Sequence, residues 1–465
     1  MSISQDTAIT SDRGPATIDV LPDDVLLKLF AFYVDETRWM DGWHLLVHVC
    51  RKWRNIVLGS PLQLGLQLVQ TEKRPIGKTL NVWPPLPIVI KGDYYAKSGQ
   101  DNLMGTLEHN DRVCEIKLWF VSGSLWERVS AVMQVPFPTL THIDIWFTAD
   151  PPSVISDSFL GGSAPRLRKL ALKGASFLGL PKLLSSTNNL VELTLRNIPH
   201  SGYISPEAMV SCLSTLTSLK ELDLSFQSPR SRPDKESQRP PLLTRTLLPA
   251  LTDLGFDGVS DYLDDFVARI DAPLLKSMTM EVFHQVTFDI PQLAQFISRI
   301  PYFRARDEAR FLFSDDKVSI TLPGPFDQGI DLEVRCKQLE LQLAFATQAC
   351  SLFFPQALIT TVESLYIWYW PDGQPDNIES SKWLELLRLF TTVKSLYVSS
   401  GLVPCIVTTL QEIAGEGATE VLPLLQRLFV EGVHPSGTYQ KAFEPFIAAR
   451  QLSGHAIAIS PWDGE

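Results

Sequence analysis

Leu190-Val191-Glu192-Leu193-Thr194-Leu195 carries apolar side chains at its first, fourth and sixth positions, and the same spacing returns along most of the chain. It recurs as Val113/Ile116/Leu118, Leu140/Ile143/Ile145, Leu167/Leu170/Leu172, Leu219/Leu222/Leu224, Leu251/Leu254/Phe256 and Leu275/Met278/Met280. A degenerate copy surrounds Phe311 and Phe313, and the pattern resumes at Cys336/Leu339/Leu341, Val362/Leu365/Ile367, Val393/Leu396/Val398 and Leu425/Leu428/Val430. The mean period is about 28 residues, within the range that marks internal structural repeats. In each copy the alternation predicts a short strand, with Leu193 and Leu195 facing inward and Glu192, Thr194 and Arg196 facing outward. Pro138, Pro165, Pro249, Pro273 and Pro423 each stand two residues before a first apolar position. There a proline ends the preceding element without removing a ladder hydrogen bond. Residues 206–216, 263–270, 293–300, 381–390 and 403–413 read as helices between the strands, and 439–450 as a closing helix. One copy cannot bury its apolar face alone, so stacking of copies creates the core.

This region resembles an irregular leucine-rich-repeat solenoid. It lacks the asparagine or cysteine usual after the third apolar position, where Thr148, Ala175, Ile198, Gln227 and Val259 stand instead. The fold class expected is α/β: an N-terminal three-helix module, then short parallel strands alternating with helices. Residues 1–17 are expected to be disordered, 18–64 to form the helical module, 65–85 a linker, and 86–465 the solenoid with a C-terminal cap. Residues 227–245, rich in Ser, Pro, Arg and acidic side chains, read as a long surface insertion. Pro84-x-x-Pro87 reads as the proline boundary of a strand over 88–90.

The chain has 465 residues and a net charge of −11. That balance disfavours nonspecific attraction to nucleic acid or an anionic membrane. No run reaches the length of apolar residues that a membrane span requires. The six cysteines are scattered, with no Cys-x-x-Cys pair, and read as reduced thiols. A cytoplasmic or nuclear protein is expected.

The N-terminal module opens with Leu21-Pro22-Asp23-Asp24-Val25-Leu26-Leu27-Lys28-Leu29-Phe30, and Leu46, Val49, Cys50, Trp53, Ile56 and Val57 follow on one helical stripe. Pro22, Asp23 and Asp24 suit a helix start. A module this small has too little interior to hide so many large apolar residues, so a partner or the rest of the chain must cover the remainder. The Leu-Pro-x-x-Val-Leu-x-x-Leu-Phe run, the Val-Cys-Arg-Lys-Trp-x-x-Ile-Val run and Ser60-Pro61-Leu62 resemble an F-box of the F-box-like families expanded in fungi. The connection from Val34 to Trp43 is longer than usual for that motif.

The resemblance implies a substrate-recognition subunit of an SCF-type ubiquitin ligase. It would bind a Skp-family adaptor, and through it a cullin scaffold, by Leu21, Pro22, Val25, Leu26, Leu29, Phe30, Leu46, Val49, Cys50, Trp53 and Ile56. The repeats would hold an unidentified target protein. The alternative is a non-catalytic interaction scaffold without a ligase role. Outward aromatics of the repeats, Trp119, Trp146, Tyr366, Trp368, Trp370 and Tyr397, either contact the target or pack within the repeats.

Catalytic patterns are sought and not found: the chain has no phosphate-loop motif, no Gly-x-Ser-x-Gly elbow and no His-Glu-x-x-His helix. His44 and His48 lack a third zinc ligand. Cys50 beside Arg51 and Lys52 reads as a packing residue. Asp257, Asp261, Asp264 and Asp265 lack calcium-loop spacing and read as a solvated helix start. The expectation is a protein without enzymatic activity, cofactor or metal.

Overall fold

The computed structural model describes residues 18, 21–37, 42–77, 80, 83–148, 153–227, 244–283, 290–370, 379–413, 419–431 and 438–462. The expected disordered start, residues 38–41 of the long connection, and 228–243 of the insertion lie outside the described residues. The chain forms two compact units, Met1–Glu115 and Ile116–Glu465.

In the first unit, α1 (Asp23–Glu36) is followed by α2 (Trp43–Val49) and α3 (Arg51–Gly59). Pro22 takes the position just before α1, with Asp23 and Asp24 in the first turn, where carboxylates complement the exposed amides. The apolar stripe expected to run unbroken from Leu46 to Val57 is cut at Cys50. Cys50 is extended (φ −155, ψ 172), and its Sγ accepts from the Trp53 amide, so it caps α3 and separates it from α2. Leu26, Phe30, Val34, Trp43, Leu46, Val47 and Val57 form the interior. Lys52 ties α3 back to the start of α1, donating to the Leu21 carbonyl at 3.0 Å and pairing with Asp23.

The stretch expected as a linker contains β1 (Leu68–Gln70), which pairs in parallel with β2 (Ile88–Gly92). Gln70 is fully buried, and its Oε1 accepts from the Ile76 amide at 2.8 Å. Helix α4 (Lys97–Leu107) follows.

The second unit is built on one sheet. Its strands are β3 (Val113–Val121, which begins just before the boundary), β4 (His142–Phe147), β5 (Lys169–Lys173), β6 (Glu192–Ile198), β7 (Glu221–Phe226), β8 (Asp253–Gly258) and β9 (Ser277–Val282). They continue as β10 (Glu308–Phe313), β11 (Lys317–Pro323), β12 (Gly329–Arg335), β13 (Ser364–Tyr369), β14 (Ser395–Val398), β15 (Arg427–Glu431) and β16 (Ala458–Trp462). Helices at Pro206–Leu213, Ser260–Val267, Pro291–Arg299, Ser380–Leu387, Val403–Glu412 and Thr438–Leu452 lie where the periodicity placed them. From Leu140 onward the second and third apolar residues of each matched copy sit on the strands, and the first stands just ahead of them. Outside residues 336–341, none of these residues from Leu140 to Val430 is more than 5% exposed.

The recurring turn explains the prolines. The amide of Leu140 bonds to the carbonyl of Phe137, Leu167 to Ala164, Leu251 to Leu248, Leu275 to Ala272 and Leu425 to Leu422. Pro138, Pro165, Pro249, Pro273 and Pro423 are therefore the second residues of four-residue turns, where a fixed φ near −65° fits and no amide is required.

One expectation fails. Residues 336–341 do not continue the ladder: Leu339–Gln348 is a helix, Cys336 and Leu339 are half-buried and Leu341 is exposed. The missing rung is supplied by a meander. β9 pairs in parallel with β12, β12 antiparallel with β11, β11 antiparallel with β10, and β10 in parallel with β13. Ser314, Asp315 and Asp316 are too short a connection to cross over, so β11 must fold back beside β10.

Leu193 is wholly buried, whereas Glu192, on the opposite face of β6, pairs with Lys169 at the surface. Leu193→Ala is expected to lower unfolding stability by roughly 2–5 kcal/mol and Glu192→Ala by about 1 kcal/mol or less. Urea unfolding of the two variants checks the facing of the ladder.

Candidate interaction surfaces

The first surface lies on the helical module. Ile18, Leu29, Phe30, Tyr33, Leu45, Leu46, Val49 and Trp53 line a groove of about 350 Å³. Phe30 and Trp53 meet at 4.7 Å between ring centroids and form its floor. Leu29 is 48% exposed, Val49 58% and Leu45 64%, an unusual density for neighbouring helices. The Trp53 Nε1 is covered and has no hydrogen-bond acceptor among the described residues.

The motif residues divide in two. Pro22, Val25, Leu29 and Val49 are exposed, and Leu21, Cys50, Trp53 and Ile56 are half-buried. Leu26, Phe30 and Leu46 belong to the interior, so of these only Phe30 and Leu46 reach the groove wall. Ile18, Tyr33 and Leu45 complete the groove although the motif did not single them out. Helical spacing does place Tyr33 with Phe30 and Leu29.

The second surface is the face of the repeat sheet that carries Glu192, Asp223, Tyr366 and their register partners. On β13 to β15, Tyr366, Tyr397 and Phe429 are in direct register. Tyr366 and Tyr397 stack at 4.0 Å and 8°, and Tyr397 and Phe429 at 4.4 Å and 5°. Arg310 caps one end over Tyr366 and Arg427 the other over Phe429. Trp368 stacks on Tyr366 at 5.3 Å. Trp462, from the last strand, covers the stack, its ring 5.5 Å from Tyr397, 5.9 Å from Tyr366 and 5.6 Å from Trp368. Burial, and then the hydrogen bond with Tyr397, holds the Tyr366 hydroxyl above its ordinary titration range.

The six aromatic target candidates therefore do not make one surface. Tyr366, Trp368 and Tyr397 are half-buried against one another, while Trp370, 77% exposed, stands beyond the strand end. Trp146 is 39% exposed with Lys173 over its ring, and Trp119 is half-buried on β3. Eight strands separate β4 from β13, so the two sets lie roughly 40 Å apart along the ladder. Phe429 was legible as the middle residue of Leu428-Phe429-Val430. Trp462 was not, because β16 lacks the repeat spacing.

Between the aromatic sets the sheet face is ionic. Lys169 pairs with Glu192, Arg196 with Asp223, Arg335 with Glu281 and Lys317 with Glu333. Asp257 stands on β8, not on a helix, and burial raises its carboxyl, opposed by the Ser225 hydroxyl that donates to it at 2.8 Å. Asp261 is in the first turn of the next helix, and Asp264 accepts from the Leu293 amide. Among the described residues no group of three or more His, Cys, Asp or Glu side chains is placed to hold a metal, and no helix is long and apolar enough to cross a membrane. Burial lowers His44, reinforced by His48. All six cysteines are free, and burial, with Glu115, pushes the Cys114 thiol up to about 11.

No family model and no curated protein matches the chain. Among solved structures, the leucine-rich repeat-containing protein LegL7 from Legionella pneumophila is similar at 16% identity and a TM-score of 0.28, over 71% of this chain and 95% of that one.

Trp462 is 9% exposed in spite of its place on a terminal strand. Trp462→Ala is expected to cost about 3 kcal/mol locally, speeding amide exchange of β16 about a hundredfold while leaving β4 to β8 unchanged. Exchange mass spectrometry resolves the two regions.

Proposed function

We propose that this chain is a non-catalytic receptor of an SCF-type ubiquitin ligase, docking on a Skp-family adaptor through the helical module and holding a target protein on the repeats. The observation that supports the reading is the groove: apolar side chains of α1 and α2 are exposed together, over a packed floor, in a segment whose residues resemble an F-box. An apolar partner helix laid in such a groove would cover Leu29, Val49 and Leu45.

The receptor does no chemistry itself. Holding a target lysine close to a ubiquitin-charged enzyme raises its effective concentration, which requires a rigid support and two binding surfaces but no catalytic residue. The repeat sheet is suited to the support, because its buried side chains fix each strand against the next.

Size-exclusion co-purification with a Skp-family adaptor tests the proposal. Leu29→Asp/Val49→Asp alters exposed positions, so the folded spectrum is expected to persist while adaptor affinity falls about a hundredfold or more, from two lost apolar contacts. Leu26→Asp places a charge in the interior and serves as the unfolding control. A folded wild type that does not bind the adaptor would overturn the receptor reading and leave an interaction scaffold whose groove takes another partner.

A further inference from the structure

Across β4 to β8 the ladder brings residues of equal phase side by side. The Thr141 carbonyl accepts from the amides of Arg168 and Lys169, that of Arg168 from Val191 and Glu192, and that of Val191 from Lys220 and Glu221. Thr141, Arg168, Val191 and Lys220 thus form one row, stepping about 4.8 Å per strand. Arg166, Asn189, Ser218 and Ala250, each just before a buried leucine, form a second row. Both rows, with Thr217, line a cleft of about 680 Å³.

The cleft holds two guanidinium groups and an ammonium, the hydroxyls of Thr141, Thr217 and Ser218, the Asn189 amide, and no carboxylate. Arg166, Arg168 and Lys220 are exposed and have no acidic partner among the described residues, whereas the nearby cations Lys169 and Arg196 are paired. Three unneutralised cations gathered at one place are unexpected on a chain with a net charge of −11.

We propose that this cleft is a phosphate-binding site, taking a phosphate monoester carried on a protein segment or the free anion. The guanidinium forks of Arg166 and Arg168 suit the oxygens of a tetrahedral phosphate, and the Thr217 and Ser218 hydroxyls suit the lone pairs left over, whereas Thr141 Oγ1 already bonds with His142 Nδ1 at 2.8 Å and Asn189 Nδ2 already donates to the Pro165 carbonyl at 3.2 Å. A carboxylate offers only two oxygens and leaves much of this donor set unused. Glu192, Glu221 and Asp253 occupy the next position along the strands, so a polyanion extending past the cleft meets repulsion there. A compact ligand does not. The site is independent of what the helical module binds.

The test uses the full chain without any adaptor. Fluorescence anisotropy is measured with a labelled degenerate peptide pool bearing a central phosphoserine, with matching serine and glutamate pools, and with inorganic phosphate as competitor. The phosphoserine pool is expected to bind at least about tenfold tighter than either other pool, and Arg166→Ala/Arg168→Ala to remove that preference. Lys182→Ala/Arg388→Ala, which deletes equal charge at exposed sites elsewhere, is expected to leave it unchanged. Circular dichroism confirms that both variants are folded, and Lys220→Ala repeats the test with a single change. Displacement by phosphate only at large excess assigns a protein-borne monoester, and tight binding of phosphate with no peptide preference assigns the free anion. If neither probe binds, or if both double variants lose binding equally, the proposal is overturned.

Discussion

The second unit depends on one continuous row of buried side chains. Ile145, Leu172, Leu195, Leu224, Phe256 and Met280 are successive register partners. The row continues without a break through Leu332, Ile320, Phe311, Ile367, Val398 and Val430. A slip of one residue in any pair would turn a whole strand inside out. The ladder can therefore be long without being regular, provided this row stays intact.

The meander shows how much irregularity the row tolerates. Chain order is reversed across β10 to β12 and β11 runs backward, yet Leu332, Ile320 and Phe311 carry the row across. Burial is indifferent to strand direction because side chains alternate between faces in either sense. What a reversal changes is the connections, which become hairpins at β10–β11 and β11–β12. The end of the ladder is managed by another local device. Ala458 donates to Gln426, so alternation turns the nitrogen of Pro461 toward the open edge, where it has no hydrogen to offer a further strand.

The strands of the repeats were legible because a spacing of one, four and six cannot be satisfied by a solvated chain many times over by accident. The same spacing misled at Cys336, where Leu339 and Leu341 begin a helix whose buried apolar residues are Leu343, Phe345 and Ala346. Three apolar positions are too few to tell a strand from a helix start. The meander was missed because its evidence is plain alternation, at Val318, Ile320, Leu322 and Ile330, Leu332, Val334, outside the repeat phase. On α1 the apolar arc is so broad that periodicity alone could not say that Leu26 and Phe30 turn inward while Val25 and Leu29 stay out. The rows of the basic cleft were present in the sequence as equal phase, one residue before and one after each first leucine. Phase shows which side chains are neighbours, but not that a cleft lies between them.

Exposure of large side chains therefore has two different meanings in this protein. The aromatic rows of β13 to β15 are outward by register, yet they are satisfied within the chain: faces stack, arginines close the ends, and Trp462 lies across them. Little free energy would be gained by a partner that had first to displace Trp462. Leu29, Leu45 and Val49 have no such cover among the residues that line their groove. Their exposed area is a standing cost of leaving apolar surface in water, about 25 cal/mol per Å², and any apolar surface that fits the groove recovers it. The mutually packed aromatics, conspicuous in the sequence, are thus the weaker candidate for recognition, and the plain aliphatic residues of the helical module are the stronger one.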